Sequence, residues 1–152
     1  MLEGITAPLV AVPGNAEGFD ELSAAAPAGM TVLHGSGTRI GGLRLFGLGG
    51  GVPVTPFGAW SWDLTEESAA ELLQHCDAAD ILILHSPPRG VADVTSAGQP
   101  VGSTAIRDAI ERIRPRLALC GHIHDSWGQE GTIGPTRVVS LGPRANWFET
   151  AS

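Results

Sequence analysis

The sequence predicts an α/β domain, with strands and helices alternating and polar loops gathered at one edge of a sheet. Three observations carry this expectation. The apolar runs Ile81–Leu84 (ILIL) and Leu117–Cys120 (LALC) have the continuous hydrophobicity of strands buried on both faces. An amphipathic helical pattern precedes each run. Each run also ends directly in a polar loop, and ligands of such sheets bind at the carboxyl ends of the strands.

Taken in order, Pro8–Val12 (PLVAV) reads as a buried strand ending at Pro13-Gly14. Gly18 to Ala26 forms a short helix that Pro27 ends. Thr31–Leu33, Arg39–Ile40 and Leu43–Leu48 are β-prone runs separated by glycines, which predicts antiparallel strands. Gly49 to Trp62, rich in Gly, Pro and aromatics, is expected as a long loop. Thr65 offers a helix N-cap, with Glu66 and Glu67 in the first turn. Ala69, Leu72, Leu73 and Cys76 then line one apolar face. After ILIL comes a loop, followed by a helix capped by Ser103 with Ile106, Ile110 and Ile113 on one side. Pro115 ends it. Arg137 to Leu141 is the last strand, before the Gly142-Pro143 turn.

The chain has 152 residues, 43% hydrophobic and 16% charged, which suits one packed domain over residues 1–152. Its net charge is −7 and all nine basic residues are arginines. That acidic, unclustered balance excludes a nucleic-acid-coating surface, and it means that an anionic substrate needs a local cation such as a metal. The start, Met1 to Val12, lacks the basic and apolar segments of an export signal or a membrane span. Cys76 and Cys120 read as reduced core thiols of a cytoplasmic protein.

The residues able to carry chemistry sit at three strand ends. Gly121-His122-Ile123-His124 follows a buried strand, so its imidazoles can face one metal or two neighbouring ones. Gly121 is expected to supply the unusual backbone of that turn. A bare H-x-H is equally compatible with loop histidines that bind nothing. His85 closes ILIL ahead of Ser86-Pro87-Pro88, whose prolines stiffen the loop. It is either a rigid ligand or a strand-end histidine bonded to backbone. Asn15 offers a neutral carbonyl oxygen to a hard or borderline cation, in a Pro-Gly-Asn stretch that also makes an ordinary turn. His34 to Gly37 and Gly47 to Gly51 read as hairpin turns rather than phosphate cradles. His75 reads as a favourable charge at a helix C-terminus.

In their fixed order, P-G-N-x-E, H-S-P-P-x-G and C-G-H-I-H resemble the second half of the calcineurin-like metallophosphoesterases. Val101 to Trp127 resembles the small single-domain phosphodiesterase branch, and Thr136 to Pro143 resembles the strand and turn that follow the histidine pair. The similarity runs from about Pro8 to Phe148. It implies an α/β/β/α sandwich that here lacks its N-terminal strands, and a dinuclear centre that hydrolyses phosphodiesters or phosphomonoesters. Asn15, His85 and His122 would hold one divalent ion and His124 the other, with Mn, Fe, Zn or Ni all suiting nitrogen and oxygen donors. Family members carry D-x-H and G-D motifs upstream of the asparagine, and none precedes Gly14 here. Ala16 stands where the family often places a histidine that protonates the leaving group, so no catalytic residue is assigned.

The resemblance therefore implies about half of a metal site. The chain is expected to be a fragment of an enzyme, a half completed in trans by an N-terminal segment, or an inactive binding and interaction module. A small phosphoester, a complementing segment or a second copy are the partners implied. Pro8–Val12 and Ile81–Leu84 are expected to present bare strand edges where the missing strands would lie.

Overall fold

The computed structural model describes residues 5–150. The elements run in the order β1 (Leu9–Ala11), α1 (Phe19–Ala25), β2 (Met30–Val32), β3 (Ser36–Ile40), β4 (Leu43–Leu48), α2 (Glu66–Leu73), β5 (Ile81–Leu84), α3 (Thr104–Ile113), β6 (Leu117–Cys120), β7 (Glu130–Ile133) and β8 (Thr136–Ser140). Short 3-10 turns occupy Gly58–Trp60 and His124–Ser126.

Six strands form one sheet in the order β3-β4-β5-β6-β8-β7, and β1 and β2 form a separate pair. The four central strands β4, β5, β6 and β8 are mutually parallel, while β3 and β7 join as antiparallel edges through hairpins. The register places Phe46, Leu82 and Ala118 side by side on one face, with Leu48 and Leu84 two residues on. All five are buried in one cluster with Ala69 and Leu73 of α2 and Ile106, Ala109 and Ile110 of α3. Both crossover helices therefore pack on the same face, as right-handed βαβ connections require.

Polar contacts lock the two helices together. Ser103 caps α3 by accepting from the Ile106 N–H, and its own hydroxyl donates to Glu66 Oε2 at 2.6 Å. The Glu66 carboxylate also accepts from the N–H groups of Thr104 and Ala105, both at 3.0 Å. One carboxylate in the first turn of α2 thus satisfies two of the orphan donors of α3, where the helix dipole favours negative charge. At the other end, Arg112 of α3 donates to the carbonyls of Leu73 and Cys76 as α2 ends. Below the strands, Arg44 and Asp80 form a two-point ion pair at 3.0 and 3.1 Å, and the Arg44 hydrogen bonds hold the Asp80 carboxyl well below the usual carboxylate range.

Several expectations are corrected. β2 pairs with β1 in parallel, not antiparallel, because α1 carries the chain back across before β2 begins. Ile81–Leu84 has no bare edge: β5 lies between β4 and β6. It is also not buried on both faces, since Ile81 and Ile83 are half-exposed on the side away from the helices. Pro8–Val12 contains β1, which pairs with β2 on one side and, among the described residues, has no strand on the other, as expected. β7 was not foreseen, because Glu130–Ile133 (EGTI) has neither the length nor the alternation of a clear strand.

Neither glycine segment read as a hairpin is one. The hairpin between β3 and β4 turns at Gly41-Gly42, both left-handed, whereas Gly47 lies within β4 among close neighbours. A Cβ on Gly47 would press on Leu33 and Val12, and one on Gly49 would overlap Pro13. These two glycines let the β1–β2 pair rest against the end of β4. His75 lies beyond the end of α2, with its Nδ1 3.4 Å from the Gly35 carbonyl. No helix among the described residues is long and apolar enough to cross a membrane.

Replacing Glu66 with alanine leaves Ser103 as the cap of α3 but removes the acceptor of the Thr104 and Ala105 N–H groups and the link to α2. Stability should fall by about 1–2 kcal/mol, the usual scale of N-terminal capping. Chemical denaturation of the variant beside Glu67→Ala, whose side chain makes no such contacts, checks this. Equal midpoints would refute the role.

Candidate functional site

The sheet's hydrogen-bond ladder continues past the strands and fixes the loops that follow. His85 N–H donates to the Leu48 carbonyl at 3.0 Å, Gly121 N–H donates to the His85 carbonyl at 3.0 Å, and Leu141 N–H donates to the Cys120 carbonyl at 2.7 Å. The backbone then turns sharply. Ile123 N–H donates to the Gly121 carbonyl at 2.8 Å across His122, whose φ is +66°. That is a γ-turn with a positive-φ central residue, a rare and strained form. The strained residue is thus His122 itself. Gly121, expected to carry the unusual backbone, lies outside the left-handed region and has only loose neighbours.

Asn15 reaches the same edge from β1. Its loop is tied at three points: Gly14 N–H donates to Glu17 Oε1 at 2.9 Å, Gly50 N–H to the Pro13 carbonyl at 3.1 Å, and Trp62 N–H to the Asn15 carbonyl at 2.7 Å. The side-chain Nδ2 of Asn15 donates to Ser61 Oγ at 2.9 Å, and that hydroxyl donates to Asp63 Oδ1 at 2.7 Å. Asp63 Oδ2 accepts from both the N–H and the hydroxyl of Thr55, at 2.8 and 2.6 Å.

These placements bring three lone-pair atoms together. His85 Nε2 lies 3.0 Å from Asn15 Oδ1 and 3.1 Å from His122 Nδ1. One Nε2 proton cannot satisfy both neighbours well, so the cluster has more acceptor capacity than protons. Two donors about 2.1 Å from one cation and at right angles to each other lie about 3.0 Å apart, so the spacing fits adjacent positions on a divalent ion. Among the described residues no group of three or more His, Cys, Asp or Glu side chains is arranged to hold a metal. The cluster is instead two imidazoles and one amide oxygen, a neutral, partial set.

Burial lowers the pKa of His85 to about 4, with the neighbouring His122 and His124 adding to the shift and Asp63 opposing it. Burial also lowers His122, again against the pull of Asp63. Both rings are therefore neutral at pH 7, the form that ligates. Burial raises Asp63, but the hydrogen bonds from Thr55 and Ser61 outweigh it and keep the carboxylate ionised.

His124 is exposed and meets Trp127 ring to ring at a tilt of 35°, with centroids 4.6 Å apart. It lines a cleft of about 510 Å³ together with Asn15, His122 and Asp125, while Phe57 and Trp60 form an apolar wall. Those two rings stack at 5.4 Å and remain largely exposed. Asn15, His122 and His124 therefore share one cleft, with His85 behind the first two. Sequence reasoning missed Thr55, Ser61 and Asp63, which lie in or just beyond the stretch read as a plain loop. The one available signal was a Ser-x-Asp spacing among aromatics.

Comparison with known proteins bears on the fold and on the sequence relationship. The metallophosphoesterase domain-containing protein 1 of Homo sapiens and that of Mus musculus are each 34% identical over 103 residues, covering 63% of this chain and 30% of theirs. The UPF0046 protein T07D4.2 of Caenorhabditis elegans is 34% identical over 62 residues, 40% of this chain and 15% of its own length. The chain thus spans less than a third of the length of these curated relatives. No family model matches it. One solved structure superposes at a TM-score of 0.71 with 20% identity, over 89% of this chain and 57% of the other. The crystal structure of TT1561 of Thermus thermophilus gives 0.63 with 19% identity, over 88% and 62%. These likenesses and the parallel sheet define a calcineurin-like α/β fold. In sequence the chain is similar to metallophosphoesterase domain-containing proteins over 63% of its length.

Acidification should destabilise the metal-free protein. His34, whose Nδ1 accepts from Gly49 N–H, is also lowered by burial, like His85 and His122. Groups with depressed folded pKa values bind more protons when unfolded, so stability rises with pH. This contribution is complete above the unfolded value of 6.5 and is lost as pH falls towards about 4. Urea midpoints measured in a chelator at about pH 7 and about pH 4.5, on either side of the ordinary histidine value, should differ in that direction. A midpoint unchanged or raised at the acidic pH would exclude it.

Proposed function

We propose that this chain contributes to metal-dependent phosphoester hydrolysis, with Asn15, His85 and His122 holding one divalent ion and His124 serving a second. The observation that carries the reading is the convergence of an amide oxygen and two neutral imidazole nitrogens within 3.0 to 3.1 Å at the strand ends. Divalent ions at such a site supply charge that binds phosphate oxygens and acidifies water. The chain's own residues supply the frame. Asn15 and the histidines fix where that charge sits, and the neighbouring cleft admits a small ester. Phe57 and Trp60 offer its non-phosphate part an apolar wall.

Ala16 offers no proton donor beside Asn15, so proton delivery to the leaving group is not assigned to this chain. A dinuclear centre of the kind the resemblance implies would also need the D-x-H and G-D ligands, which do not precede Gly14 in this sequence. Manganese, iron, zinc and nickel all suit the donors present. The two free, buried thiols, Cys76 and Cys120, fit a reducing cytoplasmic setting. A second reading, an inactive binding module of the same fold, draws on the neutral and partial character of the donor set.

Titration with Mn²⁺, followed by loss of the free-ion resonance signal, tests the site directly. The protein should bind manganese, and His122→Ala should weaken binding by about tenfold or more because a ligand is lost. Hydrolysis of bis-p-nitrophenyl phosphate, measured in parallel, separates the two readings. Manganese-dependent turnover that disappears in His122→Ala supports the hydrolase, and binding without turnover supports the module. Binding indifferent to His122 would remove the site.

A further inference from the structure

We infer that Ser61 and Asp63 act as positioning residues, fixing the Asn15 amide with its carbonyl oxygen towards His85 and His122. The inference builds on the proposed metal site but stands on its own geometry. An asparagine side chain presents an acceptor on one side and a donor on the other, and turning it over exchanges the two. Only one orientation offers a metal the oxygen. The other would turn the NH₂ towards His85 Nε2, which would be a comfortable hydrogen bond for a neutral imidazole and useless for a cation.

The proton inventory next to Asn15 selects between them. Asp63 is a carboxylate and can only accept. Its Oδ2 is filled by the two Thr55 donors, at 2.8 and 2.6 Å, and its Oδ1 stands 2.7 Å from Ser61 Oγ. Thr55 has one hydroxyl proton, and Asp63 at 2.6 Å takes it in preference to Ser61 at 3.2 Å. The Ser61 proton goes to Oδ1, since a bond to a charged acceptor is about twice as strong as a neutral one. Ser61 Oγ is then left with lone pairs, and the group 2.9 Å away must be a donor. Turned over, Asn15 would oppose oxygen to oxygen or force Ser61 to give up its bond to Asp63. The relay runs from carboxylate to hydroxyl to amide, and it ends in an acceptor aimed at the histidines.

The backbone supports the same assignment. Trp62 N–H, between the two relay residues, donates to the Asn15 main-chain carbonyl at 2.7 Å, so the two loops are registered before the side chains meet. Gly51 packs so closely on Asp63 that a Cβ there would collide with the carboxylate. The carboxylate is therefore held in place by main chain as well as by Thr55.

The test compares Ser61→Ala, Ser61→Thr and Asn15→Asp, singly and as the Asn15→Asp/Ser61→Ala pair. Without metal, the Asn15 side-chain NH₂ signals should be shifted and protected in the parent and Ser61→Thr proteins, and should move to free-amide positions in Ser61→Ala. With Mn²⁺ alone as the probe, Ser61→Ala should bind about tenfold more weakly, the usual scale for a group that orients a ligand. Ser61→Thr should restore the affinity. A carboxylate has two equivalent oxygens and no wrong face, so Ser61→Ala should cost nothing further once Asn15 is aspartate. Loss of folding would persist in that background, which separates positioning from collapse. NH₂ signals unmoved by Ser61→Ala, or an equal loss of affinity in the Asn15→Asp background, would overturn the relay. If the parent protein binds no manganese, the metal reading falls, and the NH₂ signals alone decide the relay.

Discussion

The parallel ladder through β4, β5 and β6 is the constraint on which the site depends. His85 is bonded through both its N–H and its carbonyl, to Leu48 on one side and Gly121 on the other. Its backbone is therefore still part of the sheet although its side chain is part of the cluster. Neighbouring strands lie about 4.8 Å apart, and the rings of His85 and His122 have centroids 4.8 Å apart. The γ-turn at His122 then swings its Nδ1 back to within 3.1 Å of His85 Nε2. A looser loop would not hold a positive-φ histidine, which needs its surroundings to fix it.

That dependence explains which parts were legible in the sequence. ILIL and LALC announce strands because an unbroken apolar run leaves little alternative, and Thr65 and Ser103 announce helix starts because capping is local. Asn15, His85 and His122 were found because each lies just beyond such a run. The missed features are those set by distant partners. Whether β2 runs parallel or antiparallel is decided by its pairing with β1, and nothing within MTV records it. The half-open face of β5 depends on what covers the sheet, and an apolar run looks the same with one cover or two. Ser61 and Asp63 gain their significance from Asn15, 46 residues away from Ser61. The glycines at 47 and 49 serve close packing against Val12, Leu33 and Pro13, not turning, and a single sequence does not distinguish the two uses.

The electrostatics of the cluster follow from its makeup. Its three atoms come from an amide and two imidazoles that burial keeps neutral, so no formal charge is placed at their meeting point. Asp63 is the anion that reaches the two rings electrostatically, and its oxygens are already committed to Thr55 and Ser61. It can favour positive charge at the cluster without becoming a ligand. Under the proposed reading, a divalent ion held by neutral donors keeps most of its charge for whatever lies in the cleft. The same neutrality weakens the hold on the ion, because charged oxygen ligands set much of the affinity for hard cations. A chain of net charge −7 repels phosphoesters at long range. Under the proposed reading attraction has to be local, and the strand-end cluster beside His124 is where a bound ion would supply it.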